Sequence, residues 1–244
     1  MVLVNAEESP RIELEQVRGL ARQVDGFVLA SSRLADQVLL DLGGRHQIVL
    51  LNRELPGLTS VTLDTTAGCR QILEHLASLG HEELTYCAGP TYSWMGAARW
   101  SALRAGAEAS GLRARRVGPY NPTIANGGAA ADAALRDGTT AIVAHNDLLA
   151  IGVMRRLADR GVRVPEDVSV VGFDNIFAAD IVEPTLTTLA GPHADAGRQA
   201  VEILLWMLAR DGREASSPAP PEQTRLPTEL VLRRSTGQAR VLGG

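Results

Sequence analysis

Short β-rich apolar runs alternate with helical stretches along all 244 residues, which predicts an α/β protein with parallel, doubly wound sheets. The apolar runs are brief and bounded by turn residues. The helical stretches between them are long enough to serve as the crossovers that parallel strands require. The length further allows two lobes of about 100 residues each, near the usual domain size.

In chain order, the expected strands are Val2–Val4, Gly26–Ala30, Ile48–Leu51, Leu84–Ala88, Arg115–Val117, Ala141–Ala144 and Val168–Gly172. The helices between them are expected at about Pro10–Arg22, Leu34–Leu42, Thr66–Leu79, Ala97–Ser110, Gly127–Arg136 and Leu148–Arg160. Gly80 and Gly161 each follow a helix end, where a left-handed cap is wanted. A final helix, about Ala194–Arg210, carries Ala200, Ile203, Leu204 and Met207 on one stripe. Asp211–Thr224 is rich in Ser and Pro and lacks apolar period, so it reads as an exposed connection. Leu226–Arg233 reads as a last strand.

Composition narrows the function. Apolar residues are 45% and charged residues 21%, enough for a sizeable core and unlike a disordered chain. No run of about 18 apolar residues is present to span a bilayer. The start, Met1 to Glu8, is too short and too quickly acidic for a signal peptide, so cytoplasmic residence is expected. A net charge of −4 argues against this chain gripping DNA by itself. Cys69 and Cys87 lack the spacing of a disulfide framework or metal site and read as core thiols. No metal and no cofactor are expected.

The most informative stretch is Asp167-Val168-Ser169-Val170-Val171-Gly172-Phe173-Asp174-Asn175, with Pro184 to Leu189 shortly after. It reads as a buried strand ending in a polar turn that delivers a carboxylate to the lip of a sheet. Ligands of open α/β sheets bind just outside such strand ends. Asp174 there can accept two sugar hydroxyls, or pair with Arg99 when the site is empty, or only cap or shape the following turn. Arg99 lies near a helix start, where a cation is disfavoured and asks for a reason. A forked donor for ligand hydroxyls or a carboxylate is one; an ordinary surface Arg is the other. Asn146 and Asp147 open a helix after a strand, so each is either an N-cap or a ligand contact. Asn146 is favoured for the ligand, and Asp64 carries the same ambiguity. Among the few aromatic residues, Trp94 and Phe177 are favoured over Trp100 as walls for a small ring, with core packing the alternative. No nucleophile elbow, phosphate loop or metal cluster appears, so an enzyme is not expected.

A family resemblance sharpens this. Val24-Asp25-Gly26-Phe27-Val28-Leu29, Leu51-Asn52-Arg53, Asp64 with Gly68, and His75-Leu76 with Leu79-Gly80-His81 come in order. Ala88-Gly89-Pro90, Arg99, Gly111-Leu112, Ala144-His145-Asn146-Asp147 and the Asp174 stretch follow, then Leu226-Pro227-Thr228-Glu229-Leu230. Singly weak, in this order and spacing they closely resemble the effector-binding domain of lac repressor-type (LacI/GalR) transcription regulators. Ala102 departs from the pattern, standing where Gly is usual.

The resemblance implies a two-lobed, type I periplasmic-binding-protein-like fold. It places residues 1–90 and 191–211 in an amino-terminal lobe, 91–190 and 225–237 in a carboxy-terminal lobe, and 212–224 in a crossover loop. It implies effector contacts from Arg99 and Asp174; because Arg99, Asn146 and Asp174 each follow the carboxyl end of a different predicted strand, the three are expected to converge on one cleft between the lobes. It also implies a sugar or similar polar effector, a homodimer in the intact protein, and DNA contact only through a head domain that this chain lacks. A transporter-associated sugar-binding protein is the alternative. The family's first strand has no counterpart, so a truncated amino-terminal lobe is expected, with Val2–Val4 sliding in beside Gly26–Ala30.

Overall fold

A computed structural model describes residues 1–136, 138–210 and 221–240. Its elements run α1 (Pro10–Leu20), β1 (Gly26–Ala30), α2 (Asp36–Gly43), β2 (Gln47–Leu51), β3 (Thr59–Leu63), α3 (Thr65–Ser78), β4 (Glu83–Cys87), α4 (Trp94–Ala109) and β5 (Arg113–Val117). After a short 3-10 turn (Ile124–Asn126) come α5 (Gly127–Leu135), β6 (Ala141–Ala144), α6 (Asp147–Asp159), β7 (Ser169–Phe173), α7 (Ala178–Ile181), β8 (Thr187–Ala190), α8 (His193–Arg210), β9 (Gln223–Leu226) and β10 (Glu229–Val231). The chain divides into two compact units, Met1–Leu63 with Pro192–Leu226, and Asp64–Gly191 with Pro227–Gly244.

The first unit holds a four-stranded parallel sheet in the order β1-β2-β3-β9. Strand period separates its two cores. Ile48 and Leu50 of β2 pack with Phe27, Val17 of α1 and Leu39 of α2. Val49 between them points the other way, to Ala196, Ala200 and Ile203 of α8. This is the doubly wound arrangement that the alternation of apolar runs and helical stretches implied.

The second unit holds six strands in the order β10-β8-β7-β6-β4-β5, parallel except for β10. Ala141 and Val143 of β6 join Leu73 and Leu76 of α3 and Leu103 of α4. Ile142 and Ala144 join Ala130 and Ala134 of α5 and Leu149 and Leu157 of α6. Small residues bring α5 and α6 close: a Cβ on Gly127 of α5 would lie 2.1 Å from the carbonyl carbon of Gly152 on α6. Among the described residues no helix is long and apolar enough to cross a membrane.

Four expectations need correction. Among the described residues Val2–Val4 forms no strand and has no pairing partner; Leu3 is 92% exposed, and β1 stands at the end of its sheet. Three residues offer two or three ladder bonds worth about 1 kcal/mol each. Ordering costs about 1–2 kcal/mol per residue. Glu7 and Glu8, both at positive φ, then turn the chain before α1. Residues 64–90 belong to the second unit, since β4 lies between β5 and β6 in its sheet. The chain therefore first crosses at Leu63–Asp64 instead of near Gly89–Pro90.

The single last strand is two, β9 and β10, in different sheets. Pro227 between them has no N–H to continue a ladder. Gln223 and Thr224, expected in the crossover loop, pair with β3; residues 211–220 of that loop lie outside the described residues. Strands β3 and β8 were not anticipated, being Thr- and Ser-rich rather than apolar.

Candidate functional site

All seven singled-out residues fall in the second unit: Trp94 and Arg99 come after its strand β4, Asn146 and Asp147 after β6, and Asp174 and Phe177 after β7, while Asp64 follows β3 of the first unit's sheet. Arg99 is in the second turn of α4, whose start is capped by Ser93 Oγ accepting from the Gly96 N–H at 3.1 Å. Its side chain is only 8% exposed, too buried for an unpaired charge. Three groups hold it. Nη2 donates to Asp174 Oδ1 at 2.9 Å, Nη1 donates to the His145 carbonyl, and the guanidinium lies 4.2 Å over the Phe173 ring. Nε is buried with no partner among the described residues.

Asp174 follows β7 with φ +97°, and Asn175 follows at φ +49°. Two successive non-glycine residues in this region cost on the order of 1 kcal/mol or more each. The turn is compensated by its backbone donors. The Asp174 N–H donates to the Leu189 carbonyl, the Asn175 N–H to Thr188 Oγ1, and the Ile176 N–H to Asp147 Oδ2. Arg233 braces the same turn by donating to Asn175 Oδ1 at 2.8 Å. The Asp174 side chain stays one-third exposed, and its second carboxylate oxygen makes no hydrogen bond among the described residues. An acceptor at the solvent edge, oriented by a buried cation, can take ligand hydroxyls.

Asn146 and Asp147 divide the work differently from the sequence expectation. Asn146 is the N-cap of α6: Oδ1 accepts from the Leu149 N–H at 3.0 Å, and Nδ2 donates to the Pro122 carbonyl at 3.3 Å. Asp147 is wholly buried. Its Oδ1 accepts from the Thr188 hydroxyl at 2.6 Å and its Oδ2 from the Ile176 N–H at 2.9 Å. Burial pushes its carboxyl up to about 6, against the opposing pull of those two hydrogen bonds. Asp64 caps α3 by accepting from the Ala67 N–H at 2.9 Å. Trp94 is half-buried at the first position of α4, and Phe177 is 79% exposed just beyond the Asp174 turn. Trp94 opens the helix that carries Arg99, and Phe177 is the N-cap of α7, three residues after Asp174.

Sequence reasoning missed the layer beneath. His145 is buried with Nδ1 3.1 Å from the Tyr86 hydroxyl, and Tyr86 stacks on Trp100 at 6.1 Å. The imidazole lies flat against Gly89, where a Cβ would come within 2.6 Å of the ring. An Ala-His-Asn-Asp run gives no sign that its His faces inward, though Gly89 after a strand hinted at close approach. The Cys69 and Cys87 thiols are free and buried, and burial pushes both up to about 12. No cluster of metal-ligating side chains occurs among the described residues.

Comparison with known proteins identifies the family of the fold. The family model for the periplasmic binding protein-like domain matches residues 73–236. The HTH-type transcriptional repressor CytR of Escherichia coli (strain K12) is 27% identical over 224 residues, 89% of this chain and 64% of CytR. The chain thus spans less than two thirds of that relative's length. The repressor PurR of Photobacterium profundum is 28% identical over 245 residues, 96% of this chain and 71% of PurR. A LacI family regulator of Mycobacterium smegmatis has a crystal structure with TM-score 0.81 at 28% identity, covering 94% of this chain and 85% of that one. A LacI family regulator of Enterococcus faecalis, solved with bound ribose, has TM-score 0.82 at 26% identity, covering 98% and 88%.

Proposed function

Since the chain belongs to the periplasmic binding protein-like domain family, we propose that it is the effector-sensing core of a LacI/GalR-type transcription regulator. The observation that carries this reading is the Arg99–Asp174 pair at the carboxyl edge of the second unit's sheet. A buried forked donor and a part-exposed acceptor, with Trp94 and Phe177 nearby in the fold, suit a small polyhydroxylated ring. Asn146 and Asp64 add polar groups at neighbouring helix starts. The ligand's binding energy would bias one arrangement of the regulator over another. Contact with operator DNA would come from a separate head domain, the intact protein acting as a homodimer in the cytoplasm. That the relatives named above are repressors favours this over a transporter-associated sugar-binding protein.

Ribose is the first probe, because the Enterococcus faecalis relative holds it. At 100 times its dissociation constant a ligand stabilises the fold by about 2.7 kcal/mol. A thermal-shift series over pentoses and hexoses should therefore contain a clear responder. Asp174→Asn, which keeps an oxygen for Arg99 and removes the charge, should cut that ligand's affinity at least about tenfold. If no sugar shifts the midpoint, or the variant binds as the parent does, the reading fails.

A further inference from the structure

Asp147 is more heavily engaged than a helix start requires. Asn146 already caps α6 through Oδ1. The Asp147 carboxylate instead reaches across to β8 and to the Asp174 turn, and the structure makes room for it. A Cβ on Gly172 would lie 2.1 Å from Asp147 Oδ1, so only glycine at that point of β7 admits the carboxylate. Thr188, also wholly buried, donates its hydroxyl proton to Asp147 Oδ1 at 2.6 Å and accepts from the Asn175 N–H at 3.3 Å. Asp147 Oδ2 takes the next amide, Ile176, at 2.9 Å. Two consecutive N–H groups of a turn with two positive φ values thus end on one carboxylate, one directly and one through a hydroxyl.

That turn decides where Asp174 points. Its φ of +97° aims the carboxylate at Arg99 Nη2. We propose that Asp147 is a positioning residue for the effector site, acting with Thr188 and Gly172 to hold the Asp174–Ile176 turn so that Asp174 meets Arg99. It touches no ligand itself, being sealed from solvent. This assignment rests on the reading that Arg99 and Asp174 receive the ligand.

The test uses the full chain labelled with ¹⁵N, comparing Asp147→Ala, Asp147→Asn and Thr188→Val with the parent. Hydrogen exchange reads the Asn175 and Ile176 amides, the guanidinium resonances read Arg99, and calorimetric titration reads ribose affinity. In Asp147→Ala the Ile176 amide should exchange about tenfold faster or more, while β6 amides keep their protection. The Arg99 resonances should lose the signature of the ion pair, and ribose should bind at least about tenfold more weakly. Asp147→Asn keeps an acceptor for Ile176 and should restore exchange and affinity to within about threefold. Should Asp147→Ala fail to fold, Thr188→Val gives the same reading at Asn175. The proposal is overturned if Ile176 exchange and the Arg99 resonances stay as in the parent. It is equally overturned if Asp147→Asn is as damaged as Asp147→Ala, which would mark the charge as a ligand contact. A parent chain that ignores ribose and every other sugar of the series counts against the effector reading, while the exchange arm still judges Asp147.

Discussion

Replacing Asp147 by Asn should change how stability depends on pH, with a sign opposite to that of the ion-paired carboxylates Asp167, Asp132 and Glu54. Burial raises the Asp147 carboxyl from 3.8 to about 6. An acid whose folded value is raised stabilises the fold most when protonated in both states. That contribution is present below the unfolded value and is lost as pH rises through the folded one. The rise from 3.8 to about 6 corresponds to roughly 3 kcal/mol, of which about 2 kcal/mol falls between pH 4.5 and 7. Asp167, Asp132 and Glu54 act oppositely, being held low by Arg163, by Arg156 with Arg160, and by Arg225. They gain stability with rising pH, yet they are common to parent and variant and cancel in the difference. Urea denaturation of both proteins at pH 4.5, 5.5, 6.5 and 7 measures that difference. Relative to the parent, Asp147→Asn should become more stable as pH rises, levelling off above about 6.5. A difference that is flat with pH, or that runs the other way, refutes the claim that Asp147 is a strongly desolvated carboxylate.

Other outcomes follow from packing and hydrogen bonding. Gly152→Ala sets a methyl against the Ile124 carbonyl and should lower stability by about 1–3 kcal/mol, read as a lower urea midpoint. His81→Ala removes a buried ring that bridges Thr140 and Ser169, the latter also holding Gly237. It should cost about 2 kcal/mol and hasten proteolysis of the residues after β10. Asn146→Ala loses the α6 cap and should cost about 1 kcal/mol in the same denaturation. Arg11→Ala breaks only an exposed ion pair with Glu15 and should leave the midpoint within about 0.5 kcal/mol of the parent.

The architecture was legible where burial imposes a simple period. Strands β6 and β7 are buried on both faces, so their continuous apolar runs announce a parallel sheet. Strand β3 escaped notice because its Ser60 and Thr62 are buried polar residues, which carry no apolar signal. The boundary between the units escaped for a different cause. Whether α3 and β4 belong to one sheet or another depends on pairing partners far along the chain, namely Thr85 with Ile142 and Tyr86 with Val143. Local pattern predicts a strand without predicting its neighbours.

The site shows the same division at the scale of two adjacent residues. Arg99 and Asp174 could be paired from sequence because each breaks a local preference: a cation near a helix start, a carboxylate at the end of an apolar strand. Asn146 and Asp147 break none, since both suit a helix start. Their roles are decided by the turn between β6 and α6. Asn146 is still extended at φ −151°, which returns its amide to the Leu149 N–H, and the next side chain then points back under the sheet edge. What Asp147 meets there comes from other strands, Gly172 on β7 and Thr188 on β8, the latter 41 residues away. A glycine inside an apolar strand and a Thr-Thr pair in the next one are ordinary features taken separately. Only when β6, β7 and β8 are laid side by side does the missing side chain of Gly172 become the space that the Asp147 carboxylate needs. The residue most open to reinterpretation was therefore the one whose meaning lay entirely in the tertiary contacts.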